Sequence, residues 1–399
     1  MGRGFLSDFE AAAPALADTL FAKGPEMSSI LTRRCLIKTS GLAIGASLLP
    51  ASAHAAGDRG SQRLIHLNLN ENAFGPSPSV NDAIRRDFDR LSRYADAATA
   101  QAFAEQIAAY ERVPVEQVVL GEILGALGLY LGSEGGPGGQ FIYSTPGYLA
   151  LIDAASRVGG VGASVPLNAH YENDLPALAS AVNRQTRAVY LINPHNPTGT
   201  VSDNVAFKQF LHEVSLRAPV IVDEAYLEYT NDFEGRSAVS LVRDGANVLV
   251  FRTFDKIHGL AGLPIGYVLA PRSLAVALHK QGVGDAESLG RLNLSAASAA
   301  LADTAHVRQI REITASERTK WFFFLDHLGL AHTASRANFI FFHAGLPQTE
   351  LAAALRIRGI EIGRTFPPYT DWARITIGLP EENSAAQQQL QEVLDTLRK

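Results

Sequence analysis

FRTFDKIHGLAGLPIGY, residues Phe251–Tyr267, sets one lysine, Lys256, between the apolar run NVLVFRTF and a glycine-rich turn. The run is rich in β-branched and aromatic residues and predicts a strand, and the glycines after it predict a tight return. An amine at such a strand end can face a pocket. A lone lysine among small residues can equally be a solvated surface charge, so the surrounding sequence has to decide.

Apolar runs alternate with segments of helical period on both sides of this stretch: FIYS, ASVPL, AVYLIN, VIVD, NVLVF and GYVLA. That βα alternation predicts an α/β fold with a mostly parallel central sheet covered by helices on both faces. Ligands of such sheets bind beyond the carboxyl ends of the strands. The residues with usable chemistry fall there: Tyr148 in PGY after FIYST, Asn196 in NPHNPTGT, and Asp223 at the end of VIVD with Tyr226 three residues on. Burying an unpaired carboxylate at Asp223 is costly and implies a partner. VVLGE ends a further short strand, and Ile123-Leu124-Gly125-Ala126 opens a helix whose free N–H groups suit a phosphate.

With 399 residues, 47% hydrophobic and 19% charged, the chain can build a large core and probes as two domains. A net charge of -5 with scattered basic residues leaves no footprint for nucleic acid. No internal repeat or low-complexity segment interrupts the pattern. Near the start, TRRCLIK (Thr32 to Lys38) precedes the apolar, small-residue run Gly41 to Leu49 and then Ala53-His54-Ala55. These features resemble a twin-arginine signal peptide cleaved after Ala55. The resemblance implies passage of a folded protein through the twin-arginine export machinery and a periplasmic location. The run falls short of the roughly 20 apolar residues that a spanning helix needs, so no stable membrane insertion is expected. Residues 1-26, ahead of Met27, read as an over-extended start or leader. The single cysteine, Cys35, lies within the signal, which excludes cysteine nucleophiles, disulfides and thiolate metal sites from the mature chain.

Taken in order, LNLNENAFGPSPSV, RYAD, PGY, NPHNPTGT, VIVDEAYLEY, FRTFDKIHGLAGLPIGY, SRANFIFF and ARITIG resemble the class I/II pyridoxal-phosphate aminotransferases of fold type I. The likeness is strongest to the histidinol-phosphate aminotransferase branch and covers about residues 64 to 395. It implies pyridoxal 5'-phosphate as cofactor, with Lys256 forming the Schiff base and acting as general base and acid. Asp223 would pair with the pyridine nitrogen, Tyr226 and Asn196 with the phenolic oxygen, and Tyr148 would stack on the ring. Thr253 and the helix start at Ile123 and Leu124 would meet the phosphate, joined by Tyr94 from the neighbouring subunit of a homodimer with shared active sites. Arg374, Arg364 and Asn72 would bind substrate, and no metal is implied. Glu224, Glu228 and Tyr229 read as structural, and His258 as a supporting or partly exposed histidine.

The implied layout is a leader and signal (1-55), an N-terminal arm (56-80), a large cofactor-binding domain (81-290) and a smaller α+β C-terminal domain (291-399). Three departures stand against the family pattern. Asp255 replaces a usual serine, Pro264 replaces the arginine that pairs with the cofactor phosphate, and Ile123 with Leu124 removes side-chain donors. The implied reaction moves an amino group between an amino acid and a 2-oxo acid. Other carbanion chemistry on the same cofactor (racemase, lyase or oxidase) and a non-catalytic binding protein on this fold remain open from sequence.

Overall fold

A computed structural model describes residues 64–397, and the expected leader and signal peptide lie outside them. In chain order the strands are β1 (Ile65–Leu67), β2 (Val118–Leu120), β3 (Gln140–Thr145), β4 (Val161–Pro166), β5 (Thr186–Ile192), β6 (Val220–Asp223), β7 (Val248–Thr253), β8 (Gly266–Leu269), β9 (Phe339–His343), β10 (Ile360–Ile362) and β11 (Trp372–Thr376). The central sheet has seven strands in the order β2-β8-β7-β6-β5-β3-β4. All six quoted apolar runs lie in it. Neighbours β4, β3, β5, β6 and β7 pair in parallel, whereas β8 runs antiparallel to both β7 and β2. The glycine-rich connection 254–265 forms turns and no helix, and β8 returns antiparallel beside β7.

Both faces of the sheet are covered, which explains the continuous apolar character of VIVD and VLVF. Alternate residues serve two cores: Val189, Val222 and Val250 point into one, and Tyr190, Ile221 and Leu249 into the other. Helix Pro78–Asp87 begins where Ser77 caps the N–H of Ser79 with a proline at its start, and helix Ala97–Glu111 where Asp96 accepts from Thr99. Helix Ile123–Ser133 has no side-chain cap, which leaves its first N–H groups available.

The division between the two parts falls later than residue 290. Helix Arg291–Ala302 packs on Pro78–Asp87 and Ala97–Glu111, and its Leu294, Ala297 and Ala300 join the main core. Its AASAALA run presents small side chains that let neighbouring helices approach closely. The smaller core starts beyond it, where Trp321, Ile340, Ile375 and Leu390 assemble between the long helix Thr304–His327, the antiparallel pair β9–β11 and the last helix Pro380–Leu397. The N-terminal arm bridges the parts: β1 pairs in parallel with β10, while Val80 lies in the main core. Where the arm passes the Lys256 turn, a side chain at Gly259 (φ +72) would place its Cβ 2.6 Å from the Gly75 backbone. Glycine is therefore required for two backbones to touch.

Candidate active site

The parallel strands bring their carboxyl ends to one cavity of about 770 Å³, a size suited to a small ligand. Tyr148 reaches it from the loop after β3, Asn196 from the loop after β5, Asp223 from the last position of β6, and Thr253 and Lys256 from the end of β7. Tyr226 comes from the turn after β6, and Leu124 from the start of helix Ile123–Ser133. Arg364 and Arg374 close the opposite side from the small domain.

Asp223 is buried, and its carboxylate accepts from the Tyr190 hydroxyl (3.0 Å) and the Ala225 N–H (3.0 Å). Burial pushes its carboxyl up to about 6, although both hydrogen bonds and the charge of Lys256 pull the other way. A group that brings a positive charge to this carboxylate would relieve that cost. Tyr190 escaped the sequence reading because it sits inside an apolar strand. Its signal was a phenol at a core position, which needs a hydrogen-bond partner when buried.

Arg374 on β11 is also buried, and no carboxylate among the described residues pairs with it. Its Nη1 donates to Asn196 Oδ1 (2.7 Å) and its Nη2 to the Asn68 carbonyl (2.7 Å), while Nε has no partner. Burial lowers its pKa to about 10. Phe366 and Phe339 line its guanidinium at 5.0 and 5.5 Å. A desolvated guanidinium with a free N–H is a ready carboxylate receptor. Arg364 stands at the exposed edge with its guanidinium 4.4 Å from the Phe366 ring.

Tyr226 OH accepts from Asn70 Nδ2 at 3.1 Å, so its own proton is free to be given to a ligand. Asn196 uses its carbonyl on Arg374 and keeps its amide for the cavity. Asn70 lines the cavity. Asn72 does not line the cavity: its amide donates to the Ile257 and Gly75 carbonyls, and its carbonyl accepts from Phe74 N–H. It shapes the arm, whose positive-φ residue Asn70 turns inward. The Ile123 side chain is buried in the layer between helix and sheet while Leu124 faces the cavity, so what this uncapped helix start offers a ligand is its backbone N–H groups. Tyr94 is 80% exposed and stands outside this chain's own cavity.

Thr253 contributes a hydroxyl to the cavity near the helix start, and the carboxylates Glu122 and Asp255 line it together with Lys256. One Asp255 oxygen is buried without a partner, and burial raises its carboxyl above the usual range despite Lys256 next to it. Pro264 lines a separate cavity on the other side of Ile265, and its carbonyl accepts from Asn293. No cluster of His, Cys, Asp or Glu able to hold a metal occurs among the described residues. No helix among them is long and apolar enough to cross a membrane.

Residues 62–387 match the family described as aminotransferase class I and II. The chain is 34% identical over 343 residues to a histidinol-phosphate aminotransferase of Moorella thermoacetica, covering 84% of this chain and 86% of that one. It is 35% identical over 324 residues to an aromatic amino acid aminotransferase of Thermobifida fusca, covering 81% and 88%. Among solved structures, the histidinol-phosphate aminotransferase of Sinorhizobium meliloti in complex with pyridoxal-5'-phosphate aligns with a TM-score of 0.77 at 28% identity, covering 84% and 92%.

Proposed function

The chain belongs to the class I and II aminotransferases and is a pyridoxal-phosphate-dependent enzyme, and on that premise we propose how its residues divide the work. The observation that carries the assignment is the buried Asp223 carboxylate, raised to about 6 in a cavity also lined by Arg374, whose buried Nε has no partner among the described residues. Those residues fit the cofactor: Asp223 offers a carboxylate to a protonated ring nitrogen, Tyr226 and Asn196 offer donors to the phenolic oxygen, and Tyr148 offers an aromatic face. When bound, the cofactor supplies an electron sink that makes the substrate α-hydrogen acidic.

Lys256 holds the cofactor through Nζ and afterwards carries the proton as general base and acid. Asp223 keeps the ring nitrogen protonated, and Tyr190 keeps Asp223 oriented. Tyr226 and Asn196 fix the ring's tilt from its oxygen side. Arg374 binds the substrate carboxylate through the N–H groups it does not spend on Asn68 and Asn196. Arg364 meets the substrate's outer end at the mouth. Thr253 Oγ1 and the uncapped helix start at Ile123 and Leu124 would hold the phosphate, without an arginine because position 264 is proline.

The working unit is a homodimer in which Tyr94 of one protomer completes the phosphate site of its partner. Exposed Phe88, Leu91 and Tyr94, at 52%, 60% and 80%, support that surface as an interface. The enzyme acts in the periplasm after twin-arginine export, a reading supported by TRRCLIK, the apolar run and the Ala53-His54-Ala55 site. Incubation with an amino acid and a 2-oxo acid tests the reaction: stoichiometric exchange of the amino group supports it, and consumption of the amino acid with the 2-oxo acid untouched contradicts it.

A further inference from the structure

Behind the Lys256 turn lies a buried set of ionisable side chains that the reaction above does not use. Arg252, next to last in β7, is 3% exposed and sits 3.0 Å from Glu224 and 3.6 Å from Glu111. Tyr267 OH donates to Glu111 at 2.6 Å. Glu228 is buried as well, and its Oε2 lies 3.5 Å from Nε2 of His258, which is 5% exposed. Of the two readings given to His258, supporting or partly exposed, burial leaves the first: its ring packs on Phe254 at 4.8 Å between centroids.

The charges around this histidine come from several elements. Glu228 and Glu111 contribute negative charge, Arg252 and the half-buried Arg311 contribute positive charge, and Tyr110, Glu234, the exposed Arg308 and Asp232, which pairs with Arg236, share the cavity that His258 lines. Counting Glu224, three buried carboxylates face one fully buried arginine. Burial alone would raise the Glu228 carboxyl, yet His258 and the nearby arginines hold it down at about 2.

The two partners sit on the two turns that make the active site. Glu228 belongs to the turn Leu227–Tyr229, which follows Asp223 and Tyr226 directly. His258 lies two residues after Lys256, inside a turn closed by Gly259 N–H to Lys256 O (3.0 Å) and Leu260 N–H to Phe254 O (3.0 Å). The arm grips the same turn from elsewhere, through Asn72 on the Ile257 carbonyl at 2.9 Å. His258 and Glu228 line a cavity of about 470 Å³ that shares no lining residue with the main one.

We propose that Glu228 and His258 form a positioning pair, which locks the Lys256 turn to the Asp223–Tyr226 turn and so places the Lys256 amine for proton transfer. The pair touches neither substrate nor cofactor. It acts through the backbone that carries Lys256, and misplacement of a proton carrier by about 1 Å can cost on the order of a hundredfold in rate. This inference rests on the reading that Lys256 holds the cofactor.

The test compares holoenzyme of wild type, His258→Phe, His258→Gln and Glu228→Gln. Phenylalanine keeps the ring contact with Phe254 and removes the ring nitrogens, glutamine at 258 keeps a donor for Glu228, and glutamine at 228 is isosteric. The expected result is a kcat lower by roughly ten- to a hundredfold in His258→Phe and Glu228→Gln, with KM changed by less than about twofold. The pH midpoint of the cofactor's visible absorption should shift in both, and His258→Gln should recover part of each effect. The double variant should be no worse than either single one, as for residues acting as a unit. Borohydride reduction and peptide mapping of each variant separates the two readings. A label away from Lys256 overturns the lysine assignment itself. A label on Lys256 with wild-type kcat and midpoint in both His258→Phe and Glu228→Gln overturns the positioning pair alone. If His258→Phe does not fold, Glu228→Gln carries the test, and wild-type behaviour in it is sufficient to refute the proposal.

Discussion

Replacing Asp223 by asparagine should make the cofactor-free protein more stable while removing its activity. The carboxyl ionises at about 6 in the folded chain against 3.8 for the unperturbed group, because burial disfavours its charge. Its contribution favours the fold while it stays protonated, below about pH 3.8, and is lost as pH rises through about 6. The gap between the two values corresponds to about 3 kcal/mol of destabilisation at pH 8, at about 1.36 kcal/mol per pKa unit. At pH 5, where the folded group is mostly protonated, about half of that remains. Asparagine fits the same bonds: its carbonyl can accept from Ala225 N–H and its amide can donate to the Tyr190 oxygen, the two partners that Asp223 has now. Urea unfolding of both cofactor-free proteins at pH 5 and pH 8, at one protein concentration, measures the difference. The asparagine variant should gain more at pH 8 than at pH 5, and adding cofactor should stabilise wild type far more than the variant. Equal gains at both pH values, or a less stable variant at pH 8, would refute the view that Asp223 is a strained carboxylate waiting for a cation.

Arg374→Met should lower kcat/KM for amino acid substrates by about one to two decades, the worth of one charge-assisted contact of about 1.5 to 3 kcal/mol, and a steady-state series in substrate concentration checks it. Pro264→Arg should slow cofactor loss on dialysis and tighten its dissociation constant by a similar factor, with wild-type loss growing on dilution as the proposed homodimer separates. Equal retention in both would mean that another donor serves the phosphate. Changing Arg33 and Arg34 to lysine should leave the protein in the cytoplasmic fraction, and unchanged periplasmic yield would contradict the twin-arginine reading.

Much of the fold was legible because parallel strands buried on both faces must be apolar throughout. The runs VIVD and AVYLIN stood out as strands for that reason, and polar residues at their carboxyl ends stood out as exceptions. Asp223, Asn196, Tyr148, Thr253 and Lys256 were therefore findable, and all five line one cavity. The arm was harder to read, because LNLNEN has no period to say which side chain turns inward. The positive φ of Asn70 decides that, and Asn72 is consumed in its own turn. Tyr190 was hidden because a phenol on a buried strand looks like core until its hydroxyl is matched to Asp223 across the sheet. His258 gave no sequence signal of burial, since its ion partner Glu228 is thirty places away in the chain and meets it only through the fold. The boundary near residue 290 was misplaced because AASAALA reads as a helix wherever it packs, and only the tertiary contacts assign it to the main core.

The most direct measurement is a visible-absorption titration of the purified holoenzyme with amino acids, followed by a 2-oxo acid, with borohydride trapping and peptide mapping on the starting material. The account predicts that the trapped cofactor maps to Lys256, that an amino acid bleaches the long-wavelength band, and that the 2-oxo acid restores it. A label on any other residue, or a band that amino acids and 2-oxo acids leave unchanged, would contradict the central claim that Lys256 drives amino-group transfer in this chain.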